Sequence, residues 1–298
     1  LRDKTGFFMG HDHHHGSSKN IKFAFFLNAA FTVFELIGGF YVNSVAIISD
    51  AVHDLGDTIS LGSSWYLQNK SRQGRNNRFS FGYKRFSLLG ALINSLVLIG
   101  GSIYVISEAI DRLINPEYSD ATGMLVFALV GVAVNGLAAW KLSKGSSMNE
   151  KVVSWHLIED VLGWVAVLIV SIVLHFYETP YLDPALSLLI TVFILYNVFK
   201  RLKETLFIFL QGVPKEINLE EIEHKIQAIP HIASLHHMHV WSLEGTDHVF
   251  TTHIKLEDIS KFQQLLDVKR AVKNVLQEYH FDHYTIETEL DKESCDLL

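Results

Sequence analysis

Cysteine is nearly absent. Cys295 is the only one in 298 residues, so no intrachain disulfide framework can form. Long basic runs are missing and the net charge is −7, which argues against nucleic acid as a partner. The zinc-hydrolase pattern H-E-x-x-H does not occur, and no serine or cysteine nucleophile stands out in the apolar stretches. The chain is therefore not expected to be an enzyme, and no organic cofactor is expected. Nor is a secretory signal peptide: the N-terminus is polar, and the first apolar stretch is too long and lacks a small-residue cleavage site.

What is present falls into two regimes. Hydrophobic residues make up 49% of the chain and crowd into positions 21–210, while the remainder is charged and contains many of the 16 histidines. The composition changes near Gln211-Gly212-Val213-Pro214. The expected organisation is a His-containing tail over 1–20, a membrane domain over 21–211 and a small soluble domain over 212–298. The tail carries His11-Asp12-His13-His14-His15-Gly16-Ser17-Ser18. It reads as a metal-capturing segment or an expression-tag remnant, disordered in either case.

Six apolar stretches, at 21–42, 44–68, 84–111, 121–142, 152–176 and 184–209, are each long enough to cross a hydrocarbon core of about 30 Å. Lysines and arginines set their orientation. Lys19 and Lys22 flank the first stretch, Lys70, Arg72, Arg75 and Arg78 follow the second, Lys141, Lys144 and Lys151 lie between the fourth and fifth, and Lys200, Arg201 and Lys203 end the sixth. The other connections are acidic apart from Arg112. Both termini are therefore expected in the cytoplasm. Beyond residue 212, helical spacing at 219–229 and 259–279 and strand alternation at 232–243, 249–256 and 283–290 predict an αββαβ order. That order fits a small α+β domain.

The second stretch holds Ser49-Asp50-Ala51-Val52-His53-Asp54-Leu55-Gly56-Asp57. A charge at the centre of a membrane helix costs roughly 2.5–3.5 kcal/mol on insertion scales, so a cluster there marks a functional site. His53 and Asp57 are one helical turn apart and share a face. The same H-x-x-x-D spacing recurs at His156 and Asp160. Two imidazoles and two carboxylates suit tetrahedral Zn²⁺, and together with the ion they are formally neutral. Such ligands bind metal only when deprotonated, so binding releases protons. Asp50, Asp54 and Glu159 are expected to orient ligands or line a cavity, and Glu35, Asn28, Asn135 and Glu108 to serve packing or cavity lining. In the soluble part, His236 and His253 fall on neighbouring predicted strands and Glu289 on a third. Even spacing would put His236, Met238 and Val240 on one face. His237, His239, His248 and Cys295 compete as ligands.

With these segments the chain resembles the cation diffusion facilitator family of zinc, cadmium and cobalt transporters. The matching residues are 49–57, Phe81-Gly82-Tyr83-Lys84-Arg85 with Leu88-Leu89-Gly90-Ala91-Leu92, Trp155-His156-Leu157-Ile158-Glu159-Asp160, and His236-His237-Met238-His239-Val240-Trp241-Ser242-Leu243. The resemblance implies six transmembrane helices, a cytoplasmic metallochaperone-like domain and a homodimer. It implies export of Zn²⁺, with Cd²⁺ or Co²⁺, in exchange for protons, through His53, Asp57, His156 and Asp160. It also implies a cytoplasmic zinc site at His236, His253 and Glu289. The short connection at 141–151 points to the bacterial type, in the inner membrane. A membrane metal sensor and a membrane metalloenzyme are the alternatives.

Overall fold

The computed structural model describes residues 14–71, 74–143, 148–290, 293 and 295. Six long helices come first: α1 (His14–Tyr41), α2 (Val45–Ser71), α3 (Phe86–Ile114), α4 (Ala121–Ser143), α5 (Met148–Phe176) and α6 (Leu182–Phe209). They coincide with the six expected stretches. Of the N-terminal histidine run, residues 11–13 lie outside the described residues. The disorder expected through Ser18 gives way to helix at His14.

Four of the helices hold segments long and apolar enough to cross a membrane: Phe86–Ile114, Ala121–Lys141, Leu157–Phe176 and Leu182–Phe209. The apolar part of α1, Phe25–Tyr41, is shorter. In α2 the acids of the 50–57 stretch dilute the hydropathy. The outward faces are apolar, with Leu96, Ile103, Leu189 and Phe193 all exposed. A helix that is apolar on its outer face satisfies its own backbone groups and can face lipid. Inside, Trp164 of α5 is fully buried with Val42, Ile47 and Met124. The close approach of α4 depends on Gly131, where a Cβ would lie 2.1 Å from the Trp164 ring.

The entry into α2 is fixed from three directions. Asn43 takes a left-handed conformation at φ 54°, which turns the chain sharply between α1 and α2. Arg112 of α3 is buried and donates to the Asn43 carbonyl and side-chain oxygens, at 2.7 Å each. Asp183 of α6 accepts from the Ser44 hydroxyl at 2.6 Å and from the Val45 and Ala46 amides at 2.8 and 3.3 Å. A carboxylate at a helix N-terminus satisfies orphan amides and favours the helix dipole. This anchor sets the register of α2, and hence the direction in which residues 50–57 point.

The second compact unit combines residues 203–298 with the α2–α3 connection, Gly74–Leu88. Its elements are α7 (Leu219–Gln227), β1 (Ile232–Ser242), β2 (His248–Leu256), α8 (Phe262–Gln277) and β3 (His283–Glu289). This is the αββαβ order read from the sequence. The sheet runs β1-β2-β3, with β1 antiparallel and β3 parallel to β2. Asn218 caps α7 by accepting from the Glu221 amide at 3.2 Å, and Gln264 reaches back to the Ser260 and Lys261 amides before α8. Both helices pack on one face of the sheet, where Phe250, Ile254 and Leu256 meet Ile222, Ile226, Val272 and Leu276. The connection 74–88 is tied to this domain by Lys84, which pairs with Asp247 and lies 3.1 Å from Asp282. The Phe81 ring stands edge-on to His283.

Candidate metal centres

In the helical unit, His53 and Asp57 face one another across one turn of α2, with His53 Nε2 3.6 Å from Asp57 Oδ2. Asp160 comes from α5, its Oδ1 3.9 Å from the same nitrogen. A tetrahedral ion with bonds of about 2.0–2.2 Å separates its ligand atoms by about 3.3–3.6 Å. The two distances from His53 Nε2 are therefore close to the spacing between ligands of one shared ion. His156 lies on α5 one turn before Asp160, and its side chain is outside the described residues. Asp160 is buried, while His53 and Asp57 are 27% and 16% exposed, so the site opens towards its α2 side.

The surroundings hold α2 in place. Asn28 of α1 donates to the Asp54 carbonyl and to the Thr58 hydroxyl, both at 3.0 Å. The Ser49 hydroxyl bonds Thr191 of α6 at 2.9 Å. A Cβ at Gly56 would lie 2.5 Å from Leu98, so the missing side chain between His53 and Asp57 admits α3. Asp50 and Asp54 are buried, and Asp50 Oδ1 would lie 3.6 Å from a Cβ at Gly163, three residues beyond Asp160. Glu35 is fully buried as well. Carboxylates enclosed among helices need a positive charge or a proton close by.

The second cluster lies on the sheet face opposite α7 and α8. His236 and His253 are directly paired across β1 and β2. One oxygen, Glu289 Oε1 at the end of β3, accepts from His253 Nδ1 at 3.0 Å and from His236 Nε2 at 2.9 Å. The bond from His253 is the main cause holding the Glu289 carboxyl below the usual carboxylate range, with His236 adding to it against its burial. Cys295 Sγ lies 3.7 Å from His253 Nδ1. One ligand atom from each of the four residues lies within 4.8 Å of every other.

The expected shared face of His236, Met238 and Val240 does not form. A register shift between His236 and His239, with His237 at φ 48°, breaks the alternation. Met238 and Val240 pack into the core, while His236 turns to the face that carries His253 and Glu289. The same bulge brings the His237 ring to 5.3 and 5.2 Å from His236 and His253. Of the other competing residues, His239 is exposed and His248 Nε2 lies 3.1 Å from Glu216. No local sequence signal marks the bulge. Cys295 was visible as a metal-ligating residue type, but nothing in the spacing brought it to this face.

Comparison with known proteins follows the same division. Residues 21–210 match the cation efflux transmembrane domain, and residues 214–290 match the cytoplasmic domain of cation efflux proteins. The chain is 31% identical to a cadmium, cobalt and zinc/H(+)-K(+) antiporter of Bacillus subtilis strain 168, over 97% of this chain and 94% of the relative. It is 33% identical to the metal cation efflux system protein CzcD of Cupriavidus metallidurans, over 94% and 89%. It is 30% identical to the zinc transporter ZitB of Escherichia coli K12, over 94% and 90%. With both family domains matched in order over nearly its whole length, this chain belongs to the cation efflux family, the cation diffusion facilitators.

Proposed function

We propose that the protein carries Zn²⁺ out of the cytoplasm in exchange for protons, with Cd²⁺ and Co²⁺ as further cargo. The observation that carries this reading is the meeting of His53 and Asp57 of α2 with Asp160 of α5. Two helices contribute to one ion, so movement of α2 against α5 would make and break the site. His156 completes the set as the fourth ligand. The relatives' names, which include zinc, cadmium and cobalt and an H(+)-K(+) antiporter, agree with this cargo and coupling. Ion and protons compete for the same imidazoles and carboxylates, because the ligands bind metal only when deprotonated. Histidine, with an ordinary pKa of about 6.5, makes that competition effective near neutral pH.

Residues 21–211 form the membrane domain in this reading and 212–298 the cytoplasmic one, with a tail over 1–20. Both termini face the cytoplasm of a bacterium, across its inner membrane, and the chain works as a homodimer. The cluster at His236, His253 and Glu289 is a regulatory zinc site that reports cytoplasmic metal.

Reconstituted vesicles with an internal zinc dye and an imposed pH gradient test the transport reading. Wild type is expected to move Zn²⁺ with a proton flux in the opposite direction, and Asp57→Ala to abolish both. Undiminished flux in Asp57→Ala would overturn the assignment.

A further inference from the structure

We infer that Cys295 supplies a thiolate to the cytoplasmic metal centre, which then has four protein ligands, His236, His253, Glu289 and Cys295, and fastens the chain beyond β3 to the sheet. The inference rests on reading that cluster as a metal centre, and adds to it the ligand that closes the shell.

The distances support a single ion. Zinc bonds of about 2.0–2.1 Å to nitrogen and about 2.3 Å to sulfur give tetrahedral edges of about 3.3–3.8 Å. The cluster has edges of 2.9, 3.0 and 3.7 Å, with all four ligand atoms inside 4.8 Å. Among the described residues these four form the one set of metal-ligating atoms this close together. Bonds after β3 also hold Glu293 against Leu290 at the end of the strand. After β3, the Glu293 amide donates to the Leu290 carbonyl at 2.8 Å, and the Leu290 amide donates to Glu293 Oε2 at 2.8 Å. Beyond this pair of bonds, Cys295 Sγ stands 3.7 Å from His253 Nδ1 on β2.

Chemistry agrees with geometry. Three protein ligands leave a position open, as catalytic zinc sites do, whereas four close the shell, as structural sites do. Carboxylate, thiolate and two neutral imidazoles cancel the charge of a divalent ion. A disulfide role is closed to Cys295 within the chain, which has no other cysteine. A thiolate among nitrogen and oxygen ligands also shifts preference towards softer ions, so this centre favours Cd²⁺ more than the sulfur-free cluster of α2 and α5 does.

The single cysteine makes the test unambiguous, since any metal–thiolate signal must come from Cys295. Full-length protein is purified in detergent with a non-thiol reductant and titrated with Co²⁺. A near-ultraviolet thiolate-to-cobalt charge-transfer band is expected in wild type. It should vanish in Cys295→Ser, and also in the double variant His236→Ala, His253→Ala, which should bind one equivalent fewer. Zn²⁺ should slow maleimide labelling of Cys295 in wild type but not in the double variant, and Cys295→Ser should lose Cd²⁺ affinity by a larger factor than Zn²⁺ affinity. Loss of an equivalent in the double variant without a thiolate band in wild type would overturn the Cys295 assignment alone. Full metal content in the double variant would overturn the centre itself. A band that survives in the double variant would place the cysteine at another ion and overturn the inference. The N-terminal histidines are common to all variants and carry no sulfur.

Discussion

Arg112 and Asp183 are two charges on the side of the bundle that the lysine and arginine distribution assigns to the exterior. Their function cannot be read locally. Arg112 is the exception to an otherwise acidic set of connections, and the structure supplies its reason: it is buried and clamps the Asn43 turn. Asp183 bonds Ser44 from 139 positions away in the chain, a separation that no periodicity or motif reports. The spacing of His53 and Asp57 is different in kind, because a helix repeats every 3.6 residues and a four-residue interval already places both on one face. Thus the shared face of His53 and Asp57 is legible in the sequence and the residue that anchors their helix is not. Replacing Asp183 by Ala leaves the Ser44 hydroxyl and two α2 amides short of a partner. The expected cost is about 1–3 kcal/mol for such buried groups, read as a lower unfolding midpoint in detergent and as lower zinc flux. Asp183→Asn, which keeps an acceptor oxygen, should recover part of the midpoint. An unchanged midpoint in Asp183→Ala would mean that the cap does not hold α2.

At the scale of elements, the six helices and the αββαβ order follow from hydrophobic length and period, and the structure has them all. The face of β1 does not follow. Alternation assumes an unbroken ladder, and one extra residue in a strand moves every later side chain to the other face. Here that residue lies beside the candidate metal cluster, so the bulge itself shapes it: it lets His236 face His253 while Met238 and Val240 stay in the core. His237 carries the conformational cost, at φ 48°. A left-handed residue other than glycine costs about 1–2 kcal/mol, and a β-branched side chain there is worse still. His237→Gly should therefore retain or raise the thermal midpoint of the α+β domain and keep its metal content. His237→Val should lower both. If the two variants behave alike, backbone conformation is not what shapes the site, and the His237 ring would have to be acting as a ligand.

At the scale of the whole molecule, the connection between α2 and α3 packs with the α+β domain. The sequence reads the segment before residue 84 as a basic connection and starts the third membrane stretch at Lys84, because the residues that receive this segment, Asp247 and Asp282, lie far along the chain in turns of another domain. Lys84 joins both. Burial lowers the pKa of the Lys84 ammonium, but the bonds to Asp247 and Asp282 outweigh it and raise the value above the ordinary lysine range. The bond from Lys84 is likewise the main cause holding Asp247 below the ordinary carboxylate range. The raised lysine contributes stability that is fully present below its ordinary pKa of about 10.4 and is lost as pH rises through its raised value. The lowered aspartate contributes stability present above about 3.9 and lost as pH falls through its depressed value. Both contributions are therefore complete from about pH 5 to about pH 9, so the attachment is a constant tether and not a proton switch. Its strength is modest, because the partners are 29%, 35% and 42% exposed and pairs at such sites contribute about 0.2–1 kcal/mol each. Chymotrypsin, which cuts after Phe79, Phe81 and Tyr83, reports release of the segment. Wild type should be cut slowly and at a rate that follows only the enzyme's own pH profile, and faster at high salt, where exposed pairs are screened. Lys84→Met should be cut several-fold faster at every pH and lose the salt dependence, since about 1 kcal/mol changes an opening equilibrium roughly fivefold. Equal cleavage of wild type and Lys84→Met would show that the Phe81–His283 contact, and not the ion pairs, holds the connection to the domain.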